Sequence, residues 1–306
     1  MLSRVAERLY WFGRYMERTE NIARLIAVYS NLLLDLPKSA FIWDSLVKIT
    51  GFESEFEDRF AAASERNVVK FLFDDPSCSL RATTRQAREN ARTTRDLMPN
   101  EVWEKMNELH YLLAADVSKC INRNRRHTFL SEIIDLCLEL NGYLNGSMSR
   151  KSPYYFLKLG RNIERADMTT RVIDVACLNL IGLTKIQEAQ DNILWMGVLQ
   201  SLNAHQMYRQ QVQDRINDVD VVDFLLKDEH FPRSVGYCIS DVTRSIKHLP
   251  NNTLALRAAR RVKRITTKVS TDVLLDSEQL HASIDDIQEK LSAVHSSLLQ
   301  SWFRTI

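Results

Sequence analysis

Two segments of the chain place glycine, glutamate and arginine in the same order, and these charged residue types can bind ions or move protons. The first segment contains Gly13, Arg14, Glu17, Arg18, Glu20 and Arg24, and the second contains Gly160, Arg161, Glu164, Arg165, Asp167 and Arg171. Their carboxylates could bind a cation or an amine, and their guanidiniums could bind a carboxylate or a phosphate. We call them the two Glu-Arg segments.

Helical spacing puts Arg14, Glu17 and Arg24 on one side of a helix, opposite apolar residues. One interpretation, which we favour, is an ion-pair lattice that fixes how two halves of the chain dock. A second is that both segments line a polar pocket, and a third is a solvated surface. The pocket would be formed by the candidate binding residues Arg14, Glu17, Arg18, Arg24, Arg161, Glu164, Arg165, Arg171 and Arg233.

Arg233 is included because residues 231–234 read Phe-Pro-Arg-Ser and predict a helix start, where free backbone N–H groups can bind an anion. An ordinary helix start is the more frequent outcome. Pro76 and Pro232 suit the first turn of a helix, where the missing N–H of proline costs nothing.

Two further runs of cations recur at helical spacing. The first comprises Arg81, Arg85, Arg88, Arg92 and Arg95, and the second comprises Arg257, Arg261, Arg264 and Lys268. Like charges at this spacing repel, so each run needs counter-charges. In order of preference these are acidic residues of neighbouring helices, an acidic protein partner, and nucleic acid.

Familiar catalytic and cofactor motifs are missing from the sequence. It has no glycine-rich phosphate loop, no Gly-x-Ser-x-Gly and no His-Glu-x-x-His, so we predict neither a cofactor nor a metal. A di-iron bundle site needs two Glu-x-x-His pairs, and only Glu278 with His281 fits. The five cysteines are widely spaced, which is typical of buried reduced thiols.

The elements that must position these residues are helices in two similar halves. The Glu-Arg segments match at an offset of 147 residues (Gly13 to Gly160), and residues 68–73 match residues 221–226 in the same order. Glycine and proline number only 8 and 6 among 306 residues, so turns are few. We predict an all-α multi-helix bundle of two pseudo-symmetric halves, residues 1–148 and 149–306.

About ten helices are expected in this bundle. The predicted breaks lie near Pro37, Gly51, Pro76, Pro99, His127, Pro153, Gly182, Asn217, Pro232 and Pro250. Gly13 and Gly160 fall inside helices, where glycine costs about 1 kcal/mol relative to alanine. Close approach of another backbone would explain both glycines.

The charge balance bears on partners and location. The net charge of +2, from 41 basic and 39 acidic residues, gives no global attraction to nucleic acid or to an anionic membrane. No run of residues is apolar and long enough for a signal peptide or a bilayer span. We therefore predict a cytoplasmic protein without nucleic-acid or membrane partners, and a homo-oligomer stays open.

The ordered motifs resemble the bacterial Alpha-E domain family. They are residues 2–11, both Glu-Arg segments, residues 88–92, Glu101-x-Trp103 with Asn107, and residues 231–235. The resemblance spans nearly the whole chain and implies an all-helical protein. It also implies partners: a circularly permuted ATP-grasp ligase-like protein and a transglutaminase-like peptidase. It supplies no established catalytic residues, so Glu17, Arg18, Glu164 and Arg165 are marked only as its signature.

Two classes of function follow from the resemblance and the residues together. The favoured one is a helical accessory or binding subunit that presents a peptide or an acidic ligand to an ATP-using ligase in peptide synthesis or modification. The alternative is an enzyme that acts on a peptide or amino acid, with Glu17 or Glu164 as a general base.

Overall fold

A computed structural model of the protein describes residues 2–35, 41–114, 118–181, 188–212, 215–270 and 277–303. The predicted all-α class is confirmed, since the chain is 83% helical and the described residues contain no strand. In the described part of the chain, thirteen helices have seven residues or more, against the ten or so expected.

The helices of the first part of the chain are α1 Ser3–Asp35, α2 Phe41–Thr50, α3 Glu53–Glu57, α4 Glu65–Asp74, α5 Leu80–Thr94, α6 Asn100–Ala114, α7 Ser118–Ile121 and α8 Arg123–Ser147. Those of the second part are α9 Ser152–Ile181, α10 Glu188–Ser201, α11 His205–Gln211, α12 Asp218–Lys227, α13 Val235–Lys247, α14 Thr253–Thr266 and α15 Ser277–Leu298. A short 3₁₀ turn, Arg95–Leu97, follows α5, and a π-helical turn, Leu299–Phe303, follows α15.

Most predicted breaks coincide with helix ends. Gly51 follows α2 with a positive φ of 72°, a conformation that glycine adopts without strain. The break predicted near His127 is wrong in position, because α8 begins at Arg123 and His127 lies inside it. The capping residue there is Asn122, whose side chain accepts a hydrogen bond from the Asn124 N–H. The breaks predicted near Pro37 and Gly182 lie outside the described residues.

The two longest helices, α1 and α9, pack against each other along the middle of the molecule. Helix α1 also contacts α5 and α8, and α9 also contacts α13 and α15. Helix α2 packs on α9, while α10 packs on α1. Residues 148–151 connect α8 to α9. The division at residues 148 and 149 remains a prediction, and this connection is where it would fall.

The starts of α5 and α13 have the same local structure. Ser79 and Ser234 are the N-caps, and each side chain accepts a hydrogen bond from a backbone N–H in the first turn of its helix. Pro76 and Pro232 lie in the loops before these caps, so the prediction that they occupy the first helical turn is wrong. Gly236 is needed after the second cap, since a Cβ there would lie 2.7 Å from the Lys227 carbonyl oxygen.

Few residues of the two long helices, α1 and α9, are exposed to solvent. In α1, Leu9 and Phe12 are fully buried, and so is the carboxylate of Glu17. The five cysteines are buried and free, as predicted. Among the described residues, no helix has the length and the apolar character that crossing a membrane would require.

Candidate binding site between the two long helices

The Glu-Arg segments meet because α1 and α9 approach each other at their glycines. A Cβ on Gly13 would overlap the carbonyl oxygen of Leu157, and a Cβ on Gly160 would overlap that of Tyr10. The two contacts are reciprocal: Leu157 stands 147 residues after Tyr10, as Gly160 does after Gly13. The predicted close backbone approach is confirmed, and it brings the charged residues that follow each glycine within reach of the opposite helix.

Glu164 of α9 is bound by two arginines of α1. The Nε atoms of Arg14 and Arg18 each donate to a different oxygen of its carboxylate at 2.6 Å. Glu164 is only 2% exposed, and burial alone would raise its pKa. Arg14 and Arg18 outweigh that effect and lower the pKa to about 2, so the carboxylate stays ionised at neutral pH.

Glu17 of α1 is fully buried and has two arginine neighbours, one from α9 and one from the loop before α13. Arg165 Nε lies 2.8 Å and Arg233 Nη1 lies 2.7 Å from its carboxylate oxygens. These contacts are ion pairs without good hydrogen-bond angles, and both oxygens lack a hydrogen-bonded partner among the described residues. The Coulombic attraction therefore carries this contact.

Glu20 and Asn21 extend the site along α1. Glu20 accepts hydrogen bonds from Arg24 Nη2 at 2.8 Å and from Arg233 Nη2 at 2.6 Å. Arg233 Nη1 also donates to Asn21 Oδ1 at 2.7 Å. Burial opposes ionisation of Glu20, but its pKa is lowered because Arg233, Arg165 and Arg24 outweigh burial. Arg233 thus fastens the loop before α13 to α1.

Arg161 differs from its counterpart Arg14. Its guanidinium donates to the side-chain oxygens of Asn141 and Asn145, both at 3.3 Å, and the described residues give it no carboxylate partner. It is 7% exposed, and its Nε has no hydrogen-bond partner among the described residues. Burial, followed by repulsion from Arg165, lowers its pKa. Arg161 is a buried cation that α8 solvates with two amides.

We call the whole cluster the Glu-Arg interface. Its acidic members are Glu17, Glu20 and Glu164, and its basic members are Arg14, Arg18, Arg24, Arg161, Arg165 and Arg233. Three carboxylates thus face six guanidiniums. A cationic excess of this kind attracts a carboxylate or a phosphate and repels a metal ion.

The structure brings together eight of the nine predicted binding residues. Arg171 is the exception: its Nε lies 3.2 Å from Asp167 one turn earlier, and its guanidinium covers Gly51 at the end of α2. It is 33% exposed, so it belongs to the edge of the α9 surface. Whether the other eight bind a ligand stays a prediction.

Sequence reasoning missed polar residues that support the interface from other helices. Asp241 of α13 accepts hydrogen bonds from Asn162 Nδ2 at 2.6 Å and from Lys158 Nζ at 2.9 Å. Tyr10 Oη lies 2.7 Å from His295 Nδ1 of α15. Burial raises the pKa of Tyr10 to about 12. Nothing in the spacing of these residues indicates the partnerships, because each pair joins helices that are distant along the chain.

One set of side chains in the described residues has the composition of a metal site. Oxygens of Asp174 and Asp285 and an imidazole nitrogen of His281 lie within 4.8 Å of one another. Asp174 Oδ1 is 2.5 Å from His281 Nδ1, and this hydrogen bond raises the pKa of His281. Burial raises the pKa of Asp174 in spite of that contact. The exposed Asp285 and the hydrogen-bonded pair are also typical of an ordinary surface ion pair.

The fold and the site define a class of protein. It is an all-α chain in which buried ion pairs between glutamates and arginines join two long helices. The chain belongs to the Alpha-E family, described as a predicted alpha-helical domain with a conserved ER motif, whose model matches residues 1–303. Glu17-Arg18 and Glu164-Arg165 are Glu-Arg pairs in this sequence.

Three mycobacterial proteins are similar to almost the whole chain. The uncharacterized proteins Mb2597 of Mycobacterium bovis and MT2643 of Mycobacterium tuberculosis are each 23% identical over 326 residues. The uncharacterized protein Rv2567 of Mycobacterium tuberculosis is 22% identical. Each match covers 96% of this chain and 35% of the relative, so this chain spans about a third of their length. No solved structure matches the chain significantly.

Proposed function

We propose that this chain is a non-catalytic helical binding subunit that works with an ATP-grasp-type amide ligase and a transglutaminase-like peptidase in peptide synthesis or modification. The family to which it belongs supports these partners through the resemblance described above. In the uncharacterized relatives the matched segment is part of a longer chain. In this proposal the ATP chemistry belongs to the ligase.

The observation that carries the non-catalytic role is the state of Glu164. Both of its oxygens are held by arginines, and its pKa is lowered to about 2. A general base works best when its pKa lies near the working pH, so a carboxylate with so low a pKa accepts protons poorly. Glu17 is fully buried, and its two oxygens lie 2.8 Å from Arg165 Nε and 2.7 Å from Arg233 Nη1, so both oxygens already face cations.

Within this role the Glu-Arg interface acts first as a docking lattice between α1 and α9. Glu164 is paired with two arginines of the opposite helix and Glu17 with one, and Arg233 adds a third element to the same cluster. A smaller binding role is assigned to Arg161, because it is the buried arginine of the interface with amide partners instead of a carboxylate. An anionic group such as a peptide carboxylate would complement it.

Reconstitution with the ligase of the same organism tests the proposal. The purified ligase is incubated with Mg-ATP and acceptor peptides, with and without an equimolar amount of this chain, and ADP release and amide products are measured. We expect the chain to raise the rate of amide formation and to co-elute with the ligase in size-exclusion chromatography. The chain without ligase should leave both ATP and peptide unchanged.

A matched pair of variants links the effect to the interface. Glu164→Gln removes a buried carboxylate, while Glu89→Gln removes an exposed one that pairs with Arg92 on α5. We expect Glu89→Gln to support the ligase fully. A ligase rate that is the same with and without the chain, together with separate elution of the two proteins, would contradict the proposed role. Peptide turnover by this chain alone would favour the enzyme alternative.

A further inference from the structure

Helix α14 carries an exposed row of arginines that the Glu-Arg interface does not use. We call Arg257, Arg260, Arg261 and Arg264 the α14 arginine face. These side chains line a groove with a volume of about 560 Å³, and Asn252, Thr253 and Leu256 complete its lining. All four arginines are exposed, whereas Ala255, Ala259 and Val262 on the opposite side of the helix are buried.

The described residues provide no ion pair for any of these four arginines. Within the described residues, counter-charges from neighbouring helices are therefore not found for Arg257, Arg261 and Arg264, three members of the second cation run. The first run meets the expectation of such counter-charges at Arg81, which pairs with Asp74 of α4, whereas Arg92 pairs with Glu89 of its own helix. Lys263 lies next to the α14 arginine face and does have an acidic partner: its Nζ is 2.9 Å from Glu229 Oε1.

Helix packing holds these like charges together. Cations three and four residues apart destabilise an isolated helix, so the arrangement depends on burial of the opposite side of α14 against α13 and α15. The net charge of the whole chain is only +2, and the four arginines alone contribute +4. The four arginines therefore make this face locally positive, and an acidic ligand is attracted to it.

We propose that the α14 arginine face binds an acidic, helical segment of a partner protein. Arg257 and Arg264 lie seven positions apart, or about 10 Å along the helix axis. Glutamates spaced three and four residues apart on a partner helix cover the same length. Guanidiniums bind carboxylates through two parallel hydrogen bonds. Leu256 adds an apolar contact in the same groove. This inference does not depend on the proposed function.

Charge alone would also admit a nucleic acid, and the composition of the surface disfavours a single strand. Proteins that bind single strands combine cations with aromatic side chains on which bases stack. The lining consists of arginine, asparagine, threonine and leucine, and contains no aromatic residue. An acidic protein segment needs no stacking platform, so it is the better match.

Fluorescence anisotropy with a defined probe tests this proposal. The probe is a labelled acidic peptide of about 14 residues, helical, with glutamates at three- and four-residue spacing, and the comparison peptide has glutamine at each of those positions. We expect the wild-type chain to bind the acidic peptide at low salt and not the glutamine peptide. The triple variant Arg257→Gln/Arg261→Gln/Arg264→Gln should bind it at least about tenfold more weakly, a loss of about 1.4 kcal/mol.

A control variant removes the same charge elsewhere. Arg66→Gln/Lys70→Gln/Arg125→Gln neutralises three exposed cations of α4 and α8, and we expect it to bind the acidic peptide nearly as wild type does. Circular dichroism melts establish that both triple variants are folded. Equal binding by the two triple variants would overturn the proposal. So would tighter binding of a single-stranded oligonucleotide of the same charge, since that result would assign the face to nucleic acid.

Discussion

Arg14 and Arg161 occupy matching places 147 residues apart, yet only Arg14 binds the glutamate of the opposite long helix. Arg14 donates to Glu164, whereas Glu17 is approached by Arg165 and by Arg233. Arg233 is therefore the partner of Glu17 that Arg161 would be if the two halves were symmetric. The result is an interface that is reciprocal at its glycines and asymmetric in its charges.

The first prediction concerns the glycine contacts. Gly160→Ala places a methyl group where the Tyr10 carbonyl oxygen lies, and backbone has to move to admit it. We expect this change to lower the free energy of unfolding by about 3 kcal/mol, the upper range for overpacking. Urea-induced unfolding followed by circular dichroism measures the effect, and Gly13→Ala should behave in the same way.

Gly142→Ala is the matched control for these substitutions. Gly142 lies inside α8, and a Cβ there meets no atom within 4 Å. Alanine should therefore stabilise the protein by up to about 1 kcal/mol, through helix propensity alone. Similar unfolding curves for Gly160→Ala and Gly142→Ala would show that α1 and α9 do not require close contact.

The sequence predicts the fold class and the central contact well, for identifiable reasons. Two glycines inside helical patterns cost stability unless a backbone approaches, so the positions of Gly13 and Gly160 are enough to indicate the α1–α9 contact. Scarce glycine and proline indicate long helices. The connections from α10 to α11 and from α14 to α15 contain neither glycine nor proline in the sequence, so the sequence predicts no break there and the helices are undercounted.

The sequence predicts which residues form the Glu-Arg interface, but it does not predict which of them pair with each other. The duplication suggests that equivalent residues have equivalent partners, and Arg233 breaks that rule because its side chain turns inward to Glu17, Glu20 and Asn21. The amides that solvate Arg161 come from α8, and no pattern in the sequence connects Asn141 or Asn145 to it. Long-range side-chain geometry decides these contacts, and a single sequence does not contain it.

A second prediction concerns acid stability. The pKa of Glu164 is about 2 in the folded protein and near 4.5 when the chain unfolds. A lowered folded pKa stabilises the protein above the unfolded value, and this contribution is lost as pH falls from about 4.5 to 2. The loss is on the order of 3 kcal/mol for this residue. Melts across that pH range should show a shallower decline for Glu164→Gln than for wild type, and parallel declines would contradict the assignment.

The third prediction separates the docking lattice from a ligand pocket. If the Glu-Arg interface mainly fastens α1 to α9, Glu17→Gln leaves Arg165 and Arg233 poorly paired and should cost about 3–5 kcal/mol. Glu164→Gln should cost a similar amount, and the double variant should be clearly non-additive because both residues belong to one network. Thermal melts combined with the ligase assay distinguish the cases: an unchanged melting temperature with lost ligase support would refute the lattice.

A fourth prediction addresses nucleotide binding. The sequence contains no glycine-rich loop of the kind that surrounds phosphates, so the chain alone should neither bind Mg-ATP tightly nor hydrolyse it. Isothermal titration calorimetry with Mg-ATP is the direct measurement, and adding inorganic phosphate in a separate titration controls for general anion binding. Micromolar affinity for Mg-ATP in the isolated chain would count against a purely accessory role.

The last prediction returns to the two matching arginines. Arg14→Met leaves Glu164 buried with Arg18 as its remaining arginine, so we expect a loss of about 3 kcal/mol in the free energy of unfolding. Arg161→Met removes a buried cation that has only amide partners among the described residues, and methionine fills a similar volume. It should be neutral or stabilising, because the cost of burying the charge disappears.

Under the proposed function Arg161→Met should nevertheless weaken support of the ligase, since the anionic group loses its cation. Equal destabilisation by the two variants would show that Arg161 is as much part of the lattice as Arg14. Full ligase support by a stable Arg161→Met variant would remove the binding role assigned to this residue.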